Sequence, residues 1–143
     1  MFLGEYRHNL DHKGRVSVPK KFRSELAEGA VLTKGLDGCL FLYSKESWQS
    51  LSERIGNLPI TARDARAFAR YVFAGAVDVK FDRLGRITTP DYLREYAKLG
   101  KEVVLIGVLE RVEIWDKNSW EKFTKNLHKR GEEIAEKLSD KGI

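Results

Sequence analysis

Two short stretches of the chain carry residue types that could do chemistry, and they are copies of each other. Asp11-His12-Lys13-Gly14-Arg15-Val16-Ser17-Val18-Pro19 recurs as Asp82-Arg83-Leu84-Gly85-Arg86-Ile87-Thr88-Thr89-Pro90, at a constant offset of 71 residues. Both read Asp-x-x-Gly-Arg, then a run of aliphatic and hydroxyl residues, then Pro. Gly14 and Gly85 supply the backbone freedom of a tight turn. Asp11 and Asp82 structure the loop: a carboxylate at the head of a turn accepts its backbone N–H groups or pairs with the arginine four positions on. Arg15 and Arg86 have two readings. Each can brace its loop from within, or project a planar fork into a partner. That fork suits bidentate contact with phosphate, or with O6 and N7 of guanine in the major groove. Lys13, Lys20 and Lys21 would add phosphate contacts, which position without specifying.

Other chemistries fit less well. One aspartate per copy of a duplicated β-unit is the arrangement of a proton-sharing carboxylate dyad. Here the neighbours are His12-Lys13 and Arg83-Leu84, which favour ionised, salt-bridged aspartates, so no enzyme is expected. There is no Gly-x-x-x-x-Gly-Lys or Gly-x-Gly-x-x-Gly loop. His8, His12 and His128 have no zinc-like spacing, so no metal or cofactor is expected. Cys39 lies in an apolar strand and reads as a buried structural thiol.

Charge points the same way as the loops. The net charge is +5 and the pI about 9.3, which suits an anionic partner, most often nucleic acid. Residues 7–23 hold Arg7, Lys13, Arg15, Lys20, Lys21 and Arg23 against a single acid, Asp11. The matching window is nearly balanced, with Lys80, Arg83, Arg86 and Arg94 against Asp78, Asp82 and Asp91. Along the chain, therefore, the first loop is the stronger candidate to meet DNA, and the second serves mainly fold or assembly. With 143 residues, 42% hydrophobic, the chain can bury a core without metal or disulfide. No apolar run reaches the ~18–20 residues of a membrane span, and Met1-Phe2-Leu3-Gly4-Glu5 does not begin like a signal peptide. A single cysteine fits a reducing compartment. The expected location is cytoplasmic.

The elements that must hold the loops also repeat. Gly4 aligns with Gly75, Phe22-Arg23 with Leu93-Arg94, and Gly29 with Gly100. After one inserted residue, Lys45-Glu46-Ser47-Trp48 aligns with Lys117-Asn118-Ser119-Trp120. Each copy opens with a half-buried strand: Tyr6, His8 and Leu10 alternate with polar residues, as do Val77, Val79 and Phe81. The loop and a short returning strand follow. Then comes a short helix beginning at Pro19 or Pro90, capped in the second copy by Thr89 and ended by Gly29 or Gly100. Two further strands follow, joined in the first copy by a Gly35-Leu36-Asp37-Gly38 turn. Helices close each copy. One carries Trp48, Leu51 and Ile55, and the next is expected to bury Ala65, Phe68, Ala69 and Val72. The last carries Trp120, Phe123, Leu127, Ile134 and Leu138, a stripe that could also pack on a neighbouring subunit. Small β-units leave exposed edges, and two in one chain can pair with each other. The expectation is an α+β fold, mainly β: a pseudo-two-fold β-barrel of two tandem repeats, 1–73 and 74–143, with flanking helices.

The paired loops Asp11–Arg15 and Asp82–Arg86, together with Gly4-Glu5-Tyr6, Gly14 to Pro19, and Glu113-Ile114-Trp115-Asp116, resemble the signature of the MraZ family over essentially the whole chain. That resemblance implies two AbrB-like swapped-hairpin (SpoVT-AbrB) units and assembly into a homo-oligomeric ring, such as an octamer. It implies a nucleoid-associated transcriptional regulator that binds short G-rich direct repeats in the promoter of its own division and cell-wall gene cluster. The partner is double-stranded DNA, with no membrane and no small-molecule substrate. The DNA-facing set would be Arg15, Lys13, Lys20, Lys21, Arg86 and Arg83. The competing reading is a ring-forming protein-interaction module or antitoxin-type adaptor.

Overall fold

The structure is a computed structural model describing residues Met1–Ile143. The first repeat runs β1 (Phe2–Asn9), β2 (Arg15–Ser17), α1 (Lys20–Arg23), β3 (Ala30–Lys34), β4 (Leu40–Ser44), α2 (Lys45–Gly56) and α3 (Arg63–Gly75). The second runs β5 (Val77–Val79), β6 (Arg86–Thr88), α4 (Asp91–Ala97), β7 (Glu102–Leu109), β8 (Arg111–Asp116) and α5 (Lys117–Lys137). Six strands form one antiparallel sheet in the order β1-β7-β8-β4-β3-β5, and β2 pairs with β6 as a separate ribbon.

The strand order exchanges the opening strands of the two repeats. β1 of the first repeat pairs with β7 of the second, and β5 of the second pairs with β3 of the first. β4 pairs with β8 at the centre. Each hairpin thus receives its outer strand from the other copy, and a pseudo-two-fold axis passes between β4 and β8 and through the ribbon. The expected closed barrel does not form. β1 and β5 end the sheet on opposite edges. The open side is filled instead by the β2–β6 ribbon and helices α1 and α4.

Period-two alternation sorts the sheet's side chains into two layers. One face sends Ala30, Leu32, Leu40, Leu42, Val103, Leu105, Val112 and Ile114 into the core. There they meet Val16 and Ile87 of the ribbon, Phe22 of α1, and Leu93 and Ala97 of α4. The other face carries Val31, Thr33, Phe41, Tyr43, Glu113 and Trp115 towards α2, α3 and α5. Thr33 Oγ1 donates to the Val72 carbonyl (2.6 Å), tying β3 to α3. Buried Glu113 accepts from Trp115 Nε1 (3.0 Å) and Arg111 Nε (2.9 Å), so its charge is partnered.

Several local expectations are corrected. Thr89 does not cap α4; Pro90 occupies the cap position, and Thr89 is wholly buried. Gly29 and Gly100 do not end the short helices: α1 stops at Arg23, and α4 ends on Lys98 in the left-handed region (φ 52°). On α3, Val72 and Gly75 are buried, whereas Phe68 is 39% exposed. Trp120 packs edge-on and Phe123 tilted against Trp115, and together they dock the start of α5. The helix nonetheless buries no residue completely. Leu127 and Leu138 are exposed, and α5 meets the sheet at β7 and β8.

Candidate nucleic-acid interface

Each Asp-x-x-Gly-Arg loop is a closed local unit. Asp11 Oδ1 accepts the backbone N–H groups of Lys13 (2.9 Å) and Arg15 (2.8 Å), and Oδ2 accepts from Arg15 Nε (2.6 Å). Asp82 does the same with Leu84 (2.9 Å), Arg86 (2.9 Å) and Arg86 Nε (2.8 Å). Gly14 and Gly85 both sit at φ 75°, a conformation open to glycine and strained for other residues. The backbone N–H bond from Arg15 is the largest influence on Asp11, and with the arginine side chain and the Lys13 N–H it holds the carboxyl down at about 2. Asp82 is lowered for the same reasons, led by the Arg86 N–H. Both aspartates are therefore ionised at neutral pH, and both arginines are oriented through Nε. Both bonds use Nε and not the terminal guanidinium nitrogens.

The ribbon brings the two units together. Val16 pairs with Ile87, Arg15 with Thr88 and Ser17 with Arg86. Arg86 Nη1 lies 3.6 Å from Asp11 Oδ2, a contact between repeats. The side chains of Arg15 and Arg86 are 28% and 24% exposed, enough to present an edge while the stem stays ordered. Surface ion pairs contribute little to stability. Here they limit the rotamers of two arginines.

The loops are also cross-braced. Val18 N–H donates to the Gly85 carbonyl (3.1 Å), and Thr89 N–H and Oγ1 both donate to the Gly14 carbonyl (2.8 Å each). A side chain at Gly14 would collide with the Arg94 guanidinium, and one at Gly85 with that of Arg23. Each loop therefore rests on an arginine from the other repeat. One of the basic residues that follow the first loop in sequence, Arg23, therefore lies against the second loop. Lys20, Lys21 and Arg23 follow β2, whose Ser17 pairs with Arg86, and Arg23 of α1 packs against Gly85 of the second loop. Lys20 and Lys21 are exposed, with Lys21 Nζ over the Tyr6 ring (5.0 Å). The first loop is backed by α4, whose Asp91 pairs with Arg94. Lys13 and Arg83 are exposed on their loops.

A family model described as "MraZ protein, putative antitoxin-like" matches the chain twice, over residues 1–71 and 72–141. The chain belongs to the MraZ family. Two relatives named transcriptional regulator MraZ, from Caldanaerobacter subterraneus subsp. tengcongensis and Acetivibrio thermocellus, are each 52% identical to it over 143 residues. One of the same name from Halothermothrix orenii is 48% identical. In all three comparisons the alignment covers the whole of both chains. The two matches of the MraZ model each contain one Asp-x-x-Gly-Arg loop.

In this MraZ chain the structure gathers Asp11, Gly14, Arg15, Asp82, Gly85 and Arg86 into one patch, with Lys13 and Arg83 on the same two loops. Three residues of the patch lay outside the sequence-derived set: Thr89, Arg94 and Arg23. The internal alignment of Phe22-Arg23 with Leu93-Arg94 signalled that the arginines hold equivalent places. It could not show that each serves the opposite loop. No helix of this chain is long and apolar enough to cross a membrane.

Proposed function

We propose that this MraZ-family chain is a sequence-specific DNA-binding transcriptional regulator that presents the β2–β6 ribbon to the major groove. A two-stranded ribbon has the width the groove admits. The observation that carries the reading is the pair of arginines, Arg15 and Arg86. They lie on paired strands across one pseudo-two-fold axis, each with Nε held by the aspartate of its own loop, and Arg86 also reaches Asp11 of the other repeat through Nη1. Such forks match O6 and N7 of guanine. Lys13, Arg83, Lys20 and Lys21 would contact flanking phosphates. The names of the relatives support a role in transcription. The G-rich direct repeats, the promoter of its own division and cell-wall gene cluster, and action at the nucleoid extend that reading by family membership.

The exchange of opening strands between repeats supports an AbrB-like swapped-hairpin relationship for the two units. The uncovered apolar residues of α3 and α5, Phe68, Phe123 and Leu127, support a homo-oligomeric ring. Several ribbons in a ring would engage several repeats, and linked weak sites raise avidity by effective concentration. An antitoxin-type adaptor would use the same apolar faces for a foreign protein. It gives no role to two pre-oriented guanidinium groups.

The test is fluorescence anisotropy with a duplex bearing G-rich repeats and a scrambled duplex, across a salt series. Binding should weaken with a log–log slope of several units from phosphate neutralisation. Discrimination between the duplexes should vanish in the double variant Arg15→Ala/Arg86→Ala. Salt-insensitive binding, or an unaffected double variant, sinks the reading.

A further inference from the structure

The two arginines that seat the loops have unequal surroundings. Arg94, against Gly14, has partners within the protein at both terminal nitrogens: it donates to the Thr89 carbonyl and pairs with the exposed Asp91. Arg23, against Gly85, has neither arrangement. The position matching Asp91 is Lys20, which removes the acid, and Arg23 makes no bond matching the one from Arg94 to the Thr89 backbone carbonyl. Arg23 Nε is enclosed without a hydrogen-bond partner, and the side chain as a whole is half-buried, so its terminal nitrogens are the part left for an anion. The ion-paired arginines of the patch are Arg15, Arg86 and Arg94; Arg23 is not among them.

A guanidinium held in place, half-buried and un-neutralised is unfavourable until an anion meets it. Packing against Gly85 fixes it beside the second loop, and Lys20 on the same helix adds a second positive charge there. The lining of the second loop is thus an uncompensated cation, whereas that of the first is an arginine paired at the surface with Asp91. An arginine is the side chain best matched to a phosphate diester oxygen pair.

We propose that Arg23 is a backbone-phosphate contact of the second loop, supplied across the pseudo-axis by the first repeat. The assignment rests on the DNA-binding reading above and adds a residue and a role to it. The first repeat's α1 replaces the basic support that Leu84 and Asp91 deny to the second repeat. DNA docking on the ribbon then meets a cation beside each loop: Lys13 on the first, Arg23 beside the second.

The test compares wild type, Arg23→Gln and Arg23→Lys, each checked for an unchanged thermal melt, on the repeat-bearing and scrambled duplexes over the salt series. A lost phosphate contact lowers the log–log slope by about one unit per bound copy. Between 50 and 200 mM salt, Arg23→Gln should therefore weaken about three- to fourfold less than wild type for each copy bound. It should do so equally on both duplexes, leaving discrimination intact. Arg23→Lys keeps the charge and should keep the wild-type slope. If Gln and Lys behave alike, or if Arg23→Gln has the wild-type slope, the residue only packs and the proposal is overturned. A wild-type protein without a salt slope overturns the DNA reading itself, and this assignment with it.

Discussion

The two loops are alike in every bond that lies within them and different in what lies behind them. Asp11 and Asp82 hold the same two backbone N–H groups and the same arginine nitrogen, within 0.2 Å of each other bond for bond. Behind Gly14 stands an arginine neutralised by Asp91; behind Gly85 stands Arg23, with no acid at the matching position. Strand exchange therefore offsets part of the charge imbalance seen along the chain. Arg23, which follows the first loop in sequence, lies against the second in space. The lesson is that a repeat's charge belongs to the site its elements pack against, not to the motif they follow.

That comparison can be broken at four points of decreasing effect. The largest concerns the shared seat. Ile87 is wholly buried beneath the ribbon and pairs with Val16. Ile87→Ala should lower stability in urea unfolding by about 2–5 kcal/mol. Because β6 holds β2, the variant should weaken both loops together. Selective loss of the second loop's contribution to binding would show that the loops are not one unit.

Next come the arginines themselves. Arg15→Ala and Arg86→Ala should each weaken binding to the repeat-bearing duplex by roughly 1–3 kcal/mol per lost guanine contact, and by similar amounts. An Arg86→Ala protein that binds like wild type would restore the linear-sequence view, in which the second loop serves only fold or assembly.

The glycines sharpen the difference behind the loops. Both substitutions to Ala incur the left-handed backbone penalty of roughly 1–2 kcal/mol. At Gly14 the new Cβ would also approach the Thr89 backbone carbonyl at 2.9 Å, whereas at Gly85 its three nearest neighbours are all atoms of the Arg23 side chain, and a side chain yields at lower cost than backbone. Gly14→Ala should therefore melt lower than Gly85→Ala. Equal melting temperatures would mean that both braces yield alike.

The smallest effect is in acid. Asp11 is held at about 2 when folded, below the ~3.9 of a free aspartate. Its contribution to stability is complete above the unfolded value and is lost as pH falls towards the folded one. Asp82 shifts in the same direction. Asp11→Asn and Asp82→Asn should each flatten the decline in stability between about pH 4 and 2. A variant with the wild-type acid profile would remove that aspartate's carboxylate from the loop's support.

What the sequence by itself determined is local. The Asp-x-x-Gly-Arg turn, the aspartate–arginine pair four residues apart and the positive φ of Gly14 and Gly85 all follow from backbone geometry within a few residues. So do the alternating core residues of β3, β4, β7 and β8, and the family resemblance rests on the same motifs. Tertiary structure alone decided which copy completes which. Hydrogen bonding along a strand edge does not depend on chain order, so β1 could add to either hairpin, and it adds to that of the second repeat. From that choice follow the open sheet, the burial of Thr89 against Gly14, and the uncovered stripe of α5. It also sets the loops side by side. The pair that opens the sequence as two copies of one motif is, in space, one patch, with each half resting on the other's arginine.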